Sequence, residues 1–415
     1  MLSSDTPAAF HIMTKPHGPA CNLSCTYCYY LEKKKLYAGT TDFKMDIETL
    51  ELFTRQYIES QQIPNITFTW QGGEPALSGI AFFREAVKFQ KKYANGKIID
   101  NAFQTNGTLL NGEWCRFLSD NYFLVGISVD GPEEIHDKHR LYHSYNGTFK
   151  QVMRAIDLLK KHRVEFNTLT VVNNDNAAYP LEIYKFLKST GSGFIQFIPI
   201  VERENHGAGE NDLILVGPEI ESNTTVTPWS VKPGDYGLFL ITIFDEWVRN
   251  DVGRVFVQMF DVTLANWVGQ PGALCVFSET CGNTMVLEHN GDLYSCDHFV
   301  YSGHKLGNIK CSAISAMAQS AQQYRFGQSK LLDLPAYCIQ CDYRFACHGE
   351  CIKHRFEKTP DGEHGLNYLC KAYKMFYSYV HPYMQFMGDE LAAKRPPANV
   401  IQWAGKYKRY SEINN

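Results

Sequence analysis

Cys21-Asn22-Leu23-Ser24-Cys25-Thr26-Tyr27-Cys28 puts three thiols within eight residues, just after a strand pattern at Phe10–Thr14. The spacing is C-x3-C-x2-C. Three thiolates on one short loop can hold three irons of a [4Fe–4S] cube and leave the fourth iron without a protein ligand. An open iron lets a cluster bind a small molecule, whereas clusters that only carry electrons are normally closed by four cysteines. Zinc is the competing reading. It prefers four ligands, and His11 and His17 are the only imidazoles nearby in sequence.

Outward from this loop the first half alternates strand and helix patterns. Strands are expected at Phe10–Thr14, Ile66–Trp70, Asn101–Thr105, Phe123–Val129, Glu165–Val172 and Phe194–Ile200. Helices are expected at Met45–Ser60, Ile80–Tyr93, Asn111–Asp120, Thr148–His162 and Tyr179–Ser189. In the fourth helix Phe149, Val152, Ile156 and Leu159 share one face, the 3.6-residue period of an amphipathic helix. Six strands with intervening helices argue for an α/β fold with a parallel sheet, open or partly closed into a barrel. Active sites of such sheets lie at the C-terminal ends of the strands, where the thiol loop falls.

The texture then changes. Val201–Pro233 has little periodicity and reads as a long loop or linker. Tyr236–Arg249 is a helix pattern, and Val252–Trp267 suggests a short strand and a helix. Thr284–Leu287 and Leu293–Cys296 flank Asn290-Gly291, a two-residue hairpin signal. Lys371–Gly388 reads as a closing helix before a polar tail.

Thirteen cysteines in 415 residues, an odd number, suit metal or redox chemistry better than a secreted disulfide scaffold. Forty basic residues balance 44 acidic ones, with no charge run, so neither nucleic acid nor membrane is an expected partner. The longest apolar stretch, Leu238–Phe244, is too short to span a bilayer. Met1–Asp5 lacks the basic and apolar regions of a signal peptide, so a cytoplasmic protein is expected.

Eight more cysteines follow the alternating region: Cys275, Cys281, Cys296, Cys338, Cys341, Cys347, Cys351 and Cys370. Eight thiolates can close two four-ligand clusters. Two zinc sites are also compatible with the spacing, and the open-cluster loop upstream favours iron–sulfur. Cys115 falls in a helix pattern and reads as a core residue; nothing supports a ligand role for Cys311.

These motifs together resemble the radical S-adenosylmethionine superfamily. Gln71-Gly72-Gly73-Glu74-Pro75 after the second strand looks like its GGEP motif, and Ser128 ends the fourth strand in Ser128-Val129-Asp130-Gly131-Pro132. The second half resembles the SPASM auxiliary-cluster domain, with spacing closest to the anaerobic sulfatase-maturating enzymes. The resemblance runs from about His11 to about Cys370. It implies a partial (β/α)6 TIM-type barrel over 1–232, a connecting helical segment over 233–274, a cysteine-rich SPASM domain over 275–388 and a tail over 389–415.

The resemblance also implies cofactors and roles. S-adenosylmethionine would bind the open iron of the Cys21, Cys25 and Cys28 cluster. Gly72, Gly73 and Glu74 would meet its amino group and Ser128 its ribose. Arg154 is the candidate for its carboxylate, and Tyr27 for packing around the cofactor. Two auxiliary [4Fe–4S] clusters would take Cys275, Cys281, Cys296 and Cys351, and Cys338, Cys341, Cys347 and Cys370. Asp297, directly after Cys296, would take a proton from the substrate. The implied reaction is oxidation of a Cys or Ser of a sulfatase polypeptide to Cα-formylglycine, with a low-potential donor such as flavodoxin or ferredoxin. A cross-linking enzyme acting on a ribosomal peptide is the alternative. Such enzymes often carry an N-terminal peptide-binding domain, for which the residues before the first strand leave no room. A non-enzymatic iron–sulfur or zinc scaffold is a third reading, disfavoured by the open iron.

Overall fold

The computed structural model describes residues 9–413 apart from 38, 210–211, 221–222 and 272. Met1–Asp5, on which the reading of the chain's start rests, lies outside the described residues. Six parallel strands lie side by side in sequence order: β1 (His11–Thr14), β2 (Asn65–Trp70), β3 (Ile98–Thr105), β4 (Phe123–Ser128), β5 (Phe166–Val172) and β6 (Phe194–Pro199). The helices between them are α1 (Ile47–Ser60), α2 (Ile80–Tyr93), α3 (Gly112–Asp120), the single turn α4 (Glu133–His136), α5 (Phe149–Lys161) and α6 (Pro180–Ser189). The six expected strands and five expected helices are all present, with no end moved by more than three residues.

Local chemistry sets the ends. Asp46 caps α1 by accepting the Thr49 N–H at 2.6 Å, and Asn111 caps α3 by accepting from Glu113 and Trp114. The apolar stripe of α5 is buried at Val152, Ala155, Ile156 and Leu159. Between helices and sheet sits an aromatic core in which Trp70 meets Phe83 edge-on at 5.4 Å, and Phe83 meets Phe103 at 5.2 Å. The Trp70 indole N–H donates to Asn101 Oδ1 at 2.8 Å, so this buried polar group is satisfied.

The segment after β6 is not an open linker. Arg203–Asn205 (β7) and Thr224–Val226 (β8) pair antiparallel, and Glu32 accepts the N–H groups of Ile214 and Leu215 from the connection between them. Both strands are three residues long and largely unburied, so they leave no apolar alternation to read. Next come α7 (Pro233–Asn250), β9 (Phe256–Val257) and α8 (Gln258–Trp267). β9 pairs parallel with β6, so the short strand expected within Val252–Trp267 is present and extends the sheet.

The sheet also grows at its other edge. β10 (Thr284–Leu287) pairs parallel with β1, and β11 (Asp292–Tyr294) and β12 (Lys305–Asn308) follow antiparallel. The cysteine-rich half is thereby joined to the strand that precedes the first thiol loop. The Asn290-Gly291 turn differs from the expected two-residue form. The Glu288 N–H bonds the Asp292 carbonyl, leaving the three residues His289–Gly291 as the loop, with Gly291 at φ 90°. A helix at Cys370–Ala392 closes the structure, longer at both ends than expected, and its Phe376 and Tyr383 meet Phe244 of α7 edge-on.

Candidate active site

The loop carrying Cys21, Cys25 and Cys28 leaves the C-terminal end of β1 and is clamped from three sides. From β2, the Gly73 and Glu74 N–H groups donate to the Gly18 and Ala20 carbonyls, each at 2.9 Å. That approach requires glycine, because a Cβ on Gly73 would stand 2.0 Å from the Ala20 oxygen. From β3, Asn106 Nδ2 donates to Asn22 Oδ1 at 3.0 Å, and Asn22 Nδ2 donates to Thr108 Oγ1 at 2.8 Å. From the segment after α4, the His139 and Leu141 carbonyls accept the Thr26 and Ser24 N–H groups.

The expected cofactor residues fall into two groups. Gly72, Gly73, Glu74, Tyr27 and Ser128 gather at this end of the sheet; Arg154 reaches it through the Thr108 carbonyl. Glu74 is buried, and its carboxylate is already engaged by Ala76 N–H at 2.9 Å, Thr105 Oγ1 at 2.8 Å and Asn106 N–H at 2.8 Å. It therefore braces β2 against β3 with its side chain. Burial pushes its acid up to about 7, against those three bonds. Tyr27 is buried and donates its hydroxyl to Asp130, and Ser128 Oγ accepts from Gln104 Nε2 at 3.2 Å. Arg154 is exposed on α5 and donates to the Thr108 carbonyl at 3.2 Å.

Sequence reading missed a buried arginine. Arg140 forms a two-pronged pair with Asp130, Nε to Oδ2 at 2.9 Å and Nη2 to Oδ1 at 3.2 Å, and its charge reaches Cys25 and Cys28. Its only sequence signal was a position ten residues past Asp130, which no helix or strand period relates.

Asp297 lies beyond β11, where the cysteine-rich half meets β1. Lys15, the residue after β1, is 1% exposed and reaches Asp297 Oδ1 as an ion pair at 2.5 Å. Tyr29 donates its hydroxyl to Oδ2 at 2.7 Å. The lysine's approach leaves Oδ1 without an aligned hydrogen bond. Burial alone would push the Asp297 carboxyl up; Lys15, His298 and the Tyr29 hydroxyl outweigh it and hold the group below the usual carboxylate range. The result is an ionised carboxylate held at both oxygens, Oδ1 by the Lys15 ammonium and Oδ2 by the Tyr29 hydroxyl. Neither Lys15 nor Tyr29 was singled out as a partner of Asp297, because the contacts join residues more than 260 positions apart.

The remaining thiols sort into two groups. Cys296 lies in the field of Cys275 and Cys281, and Cys351 in that of Cys296 and Cys275. Cys370 lies in the field of Cys338 and Cys341, and Cys347 in that of Cys370 and Cys338. The chain thus crosses over, with Cys351 in the first group although it sits between members of the second. A small cavity is lined by Cys338, Cys341, Cys347 and Cys370 together. Burial pushes the thiols up, Cys281 and Cys370 to about 11 and Cys347 to about 12. Buried thiolates need a cation to compensate them, so these donor sets fit iron–sulfur clusters. Among the described residues no three His, Cys, Asp or Glu side chains converge at the spacing of one bound ion. Cys115 is buried in α3, and Cys311 is exposed. A surface groove of about 530 Å³ among Arg84, Lys88, Glu113 and Arg116 lies between α2 and α3, not at the thiol loop.

Fold and thiol pattern define a class. The model of the radical SAM superfamily matches residues 15–187, and that of an iron–sulfur cluster-binding domain, SPASM, matches residues 275–342. The serine-type anaerobic sulfatase-maturating enzyme of Bacteroides thetaiotaomicron is 48% identical over 393 residues, 94% of each chain. The cysteine-type enzyme of Clostridium novyi is 34% identical over 375 residues, 88% of this chain and 94% of its own. A solved structure, native anSMEcpe with bound AdoMet and Cp18Cys peptide, superposes with a TM-score of 0.80 at 32% identity, covering 92% of this chain and 99% of that one. This chain belongs to the family of anaerobic sulfatase-maturating enzymes. It is a radical SAM enzyme acting on a protein residue, and its cofactors are S-adenosylmethionine and [4Fe–4S] clusters. Among the described residues no helix is long and apolar enough to cross a membrane.

Proposed function

We propose that this chain converts a seryl residue of a sulfatase to Cα-formylglycine, with Asp297 as the base. The target type follows the grading of its relatives: the serine-type enzymes of Bacteroides thetaiotaomicron and Klebsiella aerogenes are 48% and 37% identical, against 34% for the cysteine-type enzyme of Clostridium novyi. The observation that carries the base assignment is a buried carboxylate held ionised between Lys15 and Tyr29, directly after Cys296.

Cys21, Cys25 and Cys28 would hold the cluster to which S-adenosylmethionine binds, with the backbone of Gly72 and Gly73 and the hydroxyl of Ser128 beside it. When bound, the cofactor supplies a carbon radical that removes one hydrogen atom from the substrate Cβ. The chain's own residues do the rest of the positioning. The seryl CH2OH must lose one hydrogen atom, one proton and one electron to become an aldehyde. The Asp297 carboxylate receives the hydroxyl proton. Lys15 and Tyr29 fix that carboxylate so that it does not reorient as the proton arrives. Cys275, Cys281, Cys296 and Cys351, and Cys338, Cys341, Cys347 and Cys370, would hold the two clusters that accept the electron. The external redox partner is a low-potential carrier of the flavodoxin or ferredoxin class.

The test uses anaerobically reconstituted protein with two matched peptides that differ only in Ser or Cys at the target. Aldehyde should form from the seryl peptide, seen as the mass loss of two hydrogens. Aldehyde from the cysteinyl peptide alone would overturn the serine assignment, and aldehyde from neither would overturn the reaction.

A further inference from the structure

Two buried charged atoms near Asp297 have no hydrogen-bond partner. Glu202, just past β6, is 4% exposed; its Oε1 accepts from Lys353 Nζ at 2.5 Å and its Oε2 has no partner. Lys33, on the turn after the first thiol loop, is 2% exposed; its Nζ lies 3.6 Å above the Tyr301 ring and bonds to nothing. Leaving such atoms unsatisfied is costly, so a buried acceptor and a buried donor left unpaired in one region call for a ligand.

Both side chains lie in the surroundings of Asp297. Lys33 lies in the field of Lys353, Glu202 and Asp297. Lys353 Nζ also stands 4.7 Å from the ring of Tyr29, whose hydroxyl holds Asp297. Glu202 is fixed by its backbone, since its N–H donates to Ser230 Oγ at 2.8 Å and its carbonyl accepts the Thr227 N–H. Lys353 already neutralises Glu202, so the free Oε2 suits a neutral N–H better than a second full positive charge. An extended polypeptide offers such N–H groups alternating with carbonyls, the two complements needed here.

We propose that Glu202 Oε2 and Lys33 Nζ form a subsite for the substrate main chain beside the target residue, Glu202 accepting a peptide N–H and Lys33 donating to a peptide carbonyl. The inference rests on the reading of a polypeptide substrate and deepens it by naming what grips the peptide.

The experiment measures steady-state aldehyde formation by reconstituted wild type, E202Q and K33M with a seryl peptide and with copies N-methylated at single amides around the target. Each variant should raise KM about tenfold with kcat nearly unchanged, the loss of one charge-assisted hydrogen bond. Iron content and peptide-independent cleavage of S-adenosylmethionine should match wild type. One N-methyl position should weaken wild type about tenfold and E202Q hardly at all, because the two changes remove the same bond. Unchanged KM in both variants, or equal N-methyl penalties in wild type and E202Q at every position, overturns the subsite. If E202Q does not retain its clusters, K33M decides alone: its KM either rises or the proposal falls. A wild type that forms no aldehyde from any peptide would instead remove the function on which the subsite depends.

Discussion

Tyr29 of the first thiol loop donates to Asp297 Oδ2 at 2.7 Å, a bond between residues 268 positions apart. With Lys15 on the other oxygen, it ties Asp297 in the cysteine-rich half to the strand and loop of the barrel. The carboxylate proposed as the base is therefore placed by the joint between the two halves, and changes to that joint should show in the chemistry.

Y29F should lower aldehyde formed per 5′-deoxyadenosine about tenfold, as one bond to a charged group is lost. K15M should lower it further, because a buried carboxylate loses its counter-charge, and K15R should restore most of it. Product ratios by mass spectrometry, with iron content as control, check both. Equal loss of aldehyde and 5′-deoxyadenosine would point to damaged cofactor binding instead.

G73A should disable the cofactor loop. Its Cβ meets the Ala20 carbonyl, which is backbone and cannot step aside. Overpacking of this kind costs about 1–3 kcal/mol. The expected readout is S-adenosylmethionine affinity at least about tenfold weaker by equilibrium dialysis, and unchanged affinity would refute the contact.

R140M should destabilise the fold by about 3–5 kcal/mol, because Asp130 is 1% exposed and would keep an uncompensated charge. Denaturant midpoints compared with wild type measure this. A loss no larger than that of a surface arginine would show that the pair contributes little.

His136 predicts a pH dependence. It is buried, accepts the Asp130 N–H at Nδ1 and contacts Thr148 Oγ1 at 3.0 Å through Nε2, and burial lowers its pKa from 6.5 to about 3. The unfolded chain takes up a proton below pH 6.5 that the folded chain refuses until near pH 3. The stability this group contributes is thus complete above pH 6.5 and falls by up to about 1.4 kcal/mol per pH unit as pH drops toward 3. H136Q should remove that part of the slope between pH 6.5 and 5.5, measured as the difference in denaturant midpoints. Parallel profiles for wild type and H136Q would contradict it.

What the sequence disclosed was periodic or locally spaced. The six strands and the α5 stripe announce themselves by burial period, and the first thiols by sitting within eight residues. What it withheld depends on chain crossing. Residue spacing cannot put Cys351 with Cys275 rather than with Cys347; that grouping came only from resemblance. Lys15 and Glu202 look like ordinary polar residues at strand ends until the cysteine-rich half folds onto them. Arg154 is exposed on its helix and bonds the Thr108 carbonyl, while the buried arginine near the thiols, Arg140, carries no periodic signal. The β7–β8 hairpin was hidden because its strands bury too little to show a pattern.

A seryl peptide deuterated at the target Cβ tests the central claim most directly, incubated with wild type and with D297N. The account predicts deuterium in 5′-deoxyadenosine from both proteins and aldehyde from wild type, with aldehyde in D297N reduced at least about a hundredfold. Undeuterated 5′-deoxyadenosine from wild type, or full aldehyde yield from D297N, would contradict it.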